Sequence, residues 1–149
     1  MNRTEGVRRS RFSDQDYRDI LAFRDQLRRF LSWSEEQCRA AGLTPSQHQL
    51  LLAVRGHPSP DAPTIGDIAE HLQLRHHSAV GLIDRAESAG LVRRVHDQSD
   101  RRVVRIVLEA AGEVALEELT ALHITELAVL AEASAAFRRP RPADGASGD

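Results

Sequence analysis

The residue types able to do chemistry in this chain are arginine, histidine and one cysteine, and they are unevenly spread. Between Arg75 and Arg105 there are seven Arg against four acids (Asp84, Glu87, Asp97 and Asp100), whereas Glu109 to Phe137 holds six Glu and no Lys or Arg. All twenty cationic side chains are Arg, whose planar fork suits bidentate contact with phosphate and guanine. Late in the basic block, Asp100-Arg101-Arg102 sets a carboxylate beside two guanidinium groups. Asp100 is expected to orient Arg102, leaving Arg101 and Arg102 to reach a polyanion. The formal net charge is −2, so the attraction implied is local rather than that of a uniformly basic protein.

Other chemistries fail on spacing. His71, His76 and His77 are the densest histidines, but adjacent His point to different sides of a helix. No Cys lies near them and no His-x-x-x-His pair occurs, so zinc-ligand spacing is missing and neither metal nor other cofactor is expected. No nucleophile elbow, phosphate loop or His/Asp/Ser grouping is present, and Glu35-Glu36 and Glu117-Glu118 fall on solvated helix faces; the chain is not expected to be an enzyme. The single Cys38 has no partner for an internal disulfide. It reads as a buried structural thiol, with oxidant sensing as the alternative. With no charged-then-apolar leader, the expected compartment is the reducing cytoplasm. No apolar run approaches the roughly 20 residues of a spanning helix, and no membrane contact is expected.

The elements that must position these residues are marked by their caps. Residues 1–11 and 138–149 are polar, with Pro and Gly in the latter, and are expected to be disordered tails. Ser13 and Asp16 resemble a capping box. Tyr17, Ile20, Leu21, Leu27, Phe30 and Leu31 follow at helical spacing, which predicts a long amphipathic helix ending at about Ala41 before Gly42. Thr44, Pro45 and Gln47 supply an N-cap, a first-turn proline and a box partner for a second helix carrying Leu50 to Val54 and ending near Gly56. Thr64 and Asp67 repeat the box for a short third helix. After Gln73-Leu74-Arg75 a fourth helix is predicted over about His76 to Ala89, with Ala79, Leu82, Ile83 and Ala86 inward and Gly90 as its stop. Leu91 to Val95 and Arg102 to Leu108 read as two short strands. A last helix over about Ala110 to Phe137 carries Leu116, Leu119, Leu122, Leu127, Leu130 and Phe137.

A short helix, a tight turn, a second helix and a basic hairpin predict a mainly α fold with a small β-hairpin wing: a winged helix-turn-helix with N- and C-terminal dimerisation helices. One domain is expected over 12–137, with 12–42 and 110–137 as dimerisation helices and 43–109 as the DNA-binding part. In such a fold the second helix enters the major groove of double-stranded DNA. Its outward positions are His76, His77, Ser78, Val80, Gly81, Asp84 and Arg85. His77, Ser78 and Arg85 can hydrogen-bond base edges or phosphates, Val80 can touch a thymine methyl, and Gly81 lets helix and DNA backbone approach closely. Arg101 and Arg102 face the neighbouring minor groove or its phosphates. Two long flanking stripes exceed what one small winged domain can cover. Tyr17, Ile20, Leu21, Leu119, Leu122, Leu127 and Leu130 are therefore expected at a homodimer interface, while Trp33 and His48 are candidates for a ligand cleft. The acidic total keeps a protein-binding winged helix as the alternative, beside an oxidant- or metal-sensing regulator.

The stretch Leu43 to Gly112 resembles the MarR family of bacterial regulators, in the order LTPSQHQLLLAV, TIGDIAEHLQL, LIDRAESAGLVRR and DQSDRRVVRIVLEAAG. Asp100-Arg101-Arg102 after Gly90-Leu91-Val92 is the sharpest marker. The resemblance implies a homodimer with interlocked terminal helices, two winged heads reading a pseudo-palindrome, and a repressor released by a small-molecule effector bound between its parts. The chain departs from the family pattern at Arg75, where a small hydroxyl residue often caps the fourth helix. It departs also at Gln73, where a Gly is common in the turn, at Glu109, where Thr is usual, and in having one long C-terminal helix.

Overall fold

The computed structural model describes residues 11–138; apart from Arg11 and Arg138, both expected tails lie outside these residues. The described elements are α1 (Asp14–Ala40), α2 (Pro45–Arg55), α3 (Ile65–His71), α4 (His76–Ser88), β1 (Val92–His96), β2 (Val104–Leu108) and α5 (Ala110–Ala133), then a 3-10 turn at Ser134–Arg138. The last element is shorter than its apolar pattern predicts, because the helix tightens after Ala133.

The three capping boxes read from the sequence form, and they fix where α1, α2 and α3 begin. Thr44 Oγ1 accepts from the Gln47 amide at 3.1 Å while Gln47 Oε1 accepts from the Thr44 amide at 2.9 Å. Thr64 and Asp67 do the same at 3.2 and 2.8 Å, as do Ser13 and Asp16 at 3.2 and 2.7 Å. Each box satisfies donors that a helix start would otherwise leave orphaned, worth about 1 kcal/mol per cap.

Three helices also stop in one way. Gly42, Gly90 and Gln73 adopt left-handed φ values of 76°, 71° and 53°. After each, a leucine amide bonds back five residues: Leu43 to Cys38 O (2.9 Å), Leu91 to Ala86 O (3.0 Å) and Leu74 to Ala69 O (2.8 Å). This is the Schellman closure, and a side chain other than Gly is strained there by about 1–2 kcal/mol. Gln73 therefore occupies a glycine position, which accounts for the departure seen in the sequence.

The described residues form two compact units, 32–125 and, within the described range, 11–31 with 126–138. The division falls inside α1 and α5, not at Gly42 and Ala110, because the last turns of α1 and the first half of α5 bury side chains in the winged part. Its core gathers Cys38, Leu50, Leu51, Ile68, Leu82, Ile83, Ile106, Leu116 and Leu119. Ala79, Leu82, Ile83 and Ala86 are buried as the periodicity of α4 predicts. Burying each large aliphatic side chain contributes roughly 1.5–3 kcal/mol. Leu119, expected on a partner-facing stripe, is 1% exposed in this core. The correction follows from helical phase: Gly112, Leu116, Leu119 and His123 are the buried positions of α5 and share one face. In the other unit, Phe23 and Phe137 meet edge-on at 5.5 Å, and Tyr17, Ile20 and Leu21 stay exposed.

One glycine is demanded by packing. A Cβ at Gly112 would lie 2.2 Å from the Leu91 carbonyl oxygen, the same oxygen that accepts from the Glu109 amide at 2.9 Å. The bare backbone of α5 lets it start directly against the end of the α4–β1 connection.

Candidate nucleic-acid interface

Helix α4 and the hairpin carry most residues singled out for contact with a polyanion, and both lie in the 32–125 unit. With Ala79, Leu82, Ile83 and Ala86 facing the core, His76, His77 and Arg85 are exposed and Ser78, Val80 and Gly81 half-exposed. Arg75 precedes the helix with extended backbone and gives no side-chain cap. The first turn of α4 thus keeps its positive dipole end uncapped by any side-chain oxygen. A Cβ on Gly81 would stand 3.4 Å from Arg85 Nη1, so the guanidinium lies back along the helix across the bare glycine.

The hairpin is antiparallel, pairing Val92 with Leu108, Arg94 with Ile106 and His96 with Val104. Arg102 and Val103, expected in the second strand, belong to the turn instead: Asp97 N bonds Val103 O and Val103 N bonds Asp100 O, both at 2.9 Å. Asp97 organises that turn. Its Oδ1 accepts from the Ser99 hydroxyl (2.6 Å), the Ser99 amide (2.8 Å) and the Asp100 amide (3.1 Å). The Ser99 hydroxyl and the Arg105 guanidinium together hold the Asp97 carboxyl far below the usual carboxylate range. Asp100 grips Arg102 through three hydrogen bonds, accepting from its amide and Nε at 3.0 Å and from Nη2 at 2.9 Å. The Arg102 side chain nevertheless remains 91% exposed, so its guanidinium is held in one orientation and still faces solvent.

The seven arginines do not form a free basic block. Arg94 is engaged inside the molecule, reaching Asp84 at 2.6 Å and Glu87 at 2.5 Å, and its raised pKa comes from those two acids acting against partial burial. Arg93 meets Glu109 at 3.0 Å. Arg105 joins Asp97 at 2.5 Å, the Ala62 carbonyl at 2.7 Å and Asp61 at 3.6 Å. These contacts fasten β1 to α4, and β2 to the segment before α3, where Ile106 N also bonds Pro63 O at 2.8 Å. Among the described residues of the block, Arg75, Arg85 and Arg101 are exposed without an ion pair, and Arg102 is exposed with one. The sequence offered a signal for this sorting in Asp97-x-Ser99, an Asx-turn pattern that places a carboxylate beside the hairpin.

The remaining candidates separate. His71, grouped by sequence with His76 and His77, instead meets His57, whose Nδ1 is 3.1 Å from His71 Nε2. Among the described residues no group of three or more His, Cys, Asp or Glu could hold a metal ion. Trp33 and His48, expected to line a cleft, pack against His123 at ring-centroid distances of 5.0 and 4.8 Å, and His48 is only 2% exposed. An open groove of about 490 Å³ does occur, bounded by Arg55, Leu108, Glu113, Leu116, Thr120 and Ile124. Burial pushes the Cys38 thiol up, which suppresses the thiolate an oxidant sensor needs. No described helix is long and apolar enough to cross a membrane.

This geometry has known counterparts. Residues 41–103 match the MarR family. The chain is 30% identical over 86 residues to the HTH-type transcriptional repressor MdtR of Bacillus subtilis, a match covering 58% of this chain and 54% of that protein; the chain thus spans about half the length of this curated relative. The crystal structure of the YusO protein from Bacillus subtilis superposes with a TM-score of 0.60 at 27% identity, over 79% of this chain and 82% of that one. The S. aureus MepR–DNA complex shares the fold, with a TM-score of 0.63 at 22% identity over 81% and 84% of the two chains. The box-capped helices, the tight turn before α4 and the tethered wing are therefore those of a winged helix-turn-helix, and over residues 41–103 the chain is similar to the MarR family.

Proposed function

We propose that the chain is a sequence-specific, DNA-binding transcriptional regulator that works as a homodimer and acts as a repressor on a pseudo-palindromic operator. The observation that carries the reading is the contrast between used and unused arginines. Arg93, Arg94 and Arg105 fasten the wing, whereas Arg102 is held by Asp100 with its side chain 91% exposed. An exposed, pre-oriented guanidinium at a wing tip suits a phosphate or a narrow minor groove. The exposed face of α4 would read bases through His76, His77, Ser78, Val80 and Arg85, with Gly81 permitting close approach and the uncapped first turn receiving a phosphate oxygen. The MepR complex with DNA supports this for a protein of the same fold.

Dimerisation is supported by Tyr17, Ile20, Leu21, Leu122 and Leu127, each 46–58% exposed, and by the half-exposed Leu130. Large apolar side chains left in water at this density call for a partner surface. Release by a small-molecule effector is the finer part of the reading. The groove beside Arg55 and Glu113, about 490 Å³, falls in the size range of small-molecule sites.

The rival reading is a winged helix that binds protein. The net charge of −2 and the internal use of Arg93, Arg94 and Arg105 favour it. Gel-shift titration against the DNA upstream of the chain's own gene separates the two. Salt-sensitive binding to that DNA in preference to unrelated sequence supports the regulator, and its absence overturns it.

A further inference from the structure

Helices α1, α2 and α5 meet at a small buried polar cluster that the DNA face does not use. His123 is 7% exposed and its tautomer is set by its partners. The Leu119 carbonyl, 2.7 Å from Nδ1, can only accept, so that nitrogen carries the hydrogen. Nε2 is left with a lone pair, to which the Ser34 hydroxyl donates at 2.6 Å. His48 stacks on this ring at 4.8 Å, is 2% exposed, and has no hydrogen-bond partner on either ring nitrogen. A buried imidazole with both nitrogens unsatisfied is unusual for a folded core and calls for an explanation.

The core of the unit is otherwise apolar, with Ile68, Leu82, Ile83 and Ile106 contributed by α3, α4 and β2. From α1 come Trp33, which packs on His123, and Ser34 with the Cys38 thiol as its neighbour. The remaining charged group of α2 is Arg55, exposed at the far end of the helix, and Glu35 and Arg39 of α1 are exposed and paired with each other at 2.9 Å. The titratable group acting on His48 is His123, and burial together with that neighbour lowers the His48 pKa.

We infer that the stacked His48–His123 pair is a one-proton acid switch, which locks the α1–α2–α5 junction when neutral and loosens it when it takes up a proton. A proton entering at His48 creates a second N–H in a pocket that offers no acceptor. That charge would lie against the His123 ring, which adds to burial in opposing it. The sign is that of a buried neutral histidine. Folding disfavours the charged form of His48, so stability falls as pH drops through its unfolded-state value near 6.5. Because α2 supplies Leu50 and Leu51 to the winged core, the junction supports the element that braces α4.

The switch itself does not depend on DNA binding, and the test keeps the two separate. Trp33 is the chain's one tryptophan, and its ring lies 5.0 Å from His123. Its fluorescence and the urea midpoint are followed from pH 8 to pH 5 in the full chain, in His48→Leu and in His123→Gln. The wild type is expected to lose up to about tenfold in folding equilibrium constant per pH unit below 6.5, one proton's worth, with a matching change in Trp33 emission, and both variants to show a flatter slope. Equal slopes in all three proteins, or Trp33 emission indifferent to pH, overturns the switch. If the variants do not fold, histidine Cε1–H NMR titration of the wild type decides. A His48 titration displaced below the unperturbed value supports the proposal, and one at that value overturns it. Anisotropy on the DNA upstream of the chain's own gene, at pH 7.5 and 5.8, reads the consequence. Tighter binding at 7.5 supports coupling of the switch to the DNA face; binding at neither pH counts against the DNA reading and leaves the fluorescence result to judge the switch.

Discussion

Arg105 donates from Nε to Asp97 Oδ2 across the mouth of the hairpin at 2.5 Å, and this pair decides how the wing is held. Asp97 organises the turn through the Ser99 and Asp100 amides, while Arg105 continues through Nη1 to the Ala62 carbonyl at 2.7 Å. The tip that presents Arg101 and Arg102 is in this way tied to the segment before α3. A two-stranded hairpin is marginal alone, so the tie matters more than the ladder.

The pH dependence of the wing follows from that pair. Asp97 is held below the usual carboxylate range by the Ser99 hydroxyl and the Arg105 guanidinium. A depressed carboxyl contributes stability that is complete above its unfolded value near 4 and is lost as pH falls toward the folded one. The protection factors of the Ser99 and Asp100 amides, measured against intrinsic exchange at each pH, should therefore hold from pH 7 to about 4 and fall in stronger acid. Asp97→Asn should exchange faster at every pH and lose that dependence. Equal protection in variant and wild type would remove Asp97 from the account.

Gly112→Ala should be costly. Its new Cβ would sit 2.2 Å from the Leu91 carbonyl oxygen, a backbone atom that cannot turn aside. Moving the start of α5 to relieve the overlap costs on the order of 1–3 kcal/mol or more. Urea unfolding measures it; a midpoint within error of the wild type would mean that α5 does not start against Leu91.

Gln73→Gly should act in the opposite direction. The left-handed φ of 53° at Gln73 costs an L-residue about 1–2 kcal/mol, partly offset by the greater freedom of glycine in the unfolded chain. The net gain expected is up to about 1 kcal/mol in thermal or urea unfolding. A loss of stability would show that the Gln73 side chain contributes more than the strain removes.

What could be read from the sequence was whatever short-range chemistry dictates. Thr44 with Gln47, Thr64 with Asp67, and Gly42 and Gly90 gave the helix boundaries to within a residue or so, because caps are set by neighbours in the chain. The inward face of α4 followed from its period. What stayed hidden depends on residues distant in sequence. Arg94 pairs with Asp84 and Glu87, and Arg105 reaches Ala62; both looked like part of a free basic block. Leu119 lay on a plausible stripe yet belongs to the core, since one apolar face cannot tell its own domain from a partner. The His48–His123 stack joins residues of α2 and α5, and no local pattern announces it.

The central claim is that the wing tip and the outer face of α4 form a DNA interface. Fluorescence anisotropy of a labelled duplex from upstream of the chain's own gene, titrated over a salt series, tests it most directly. Arg101→Ala/Arg102→Ala should weaken binding on all sequences and flatten the log–log salt slope by about 2, one for each phosphate left without its guanidinium, while His77→Ala should alter the preference among sequences and keep the slope. The same affinity and slope in the arginine double variant as in the wild type would contradict the account.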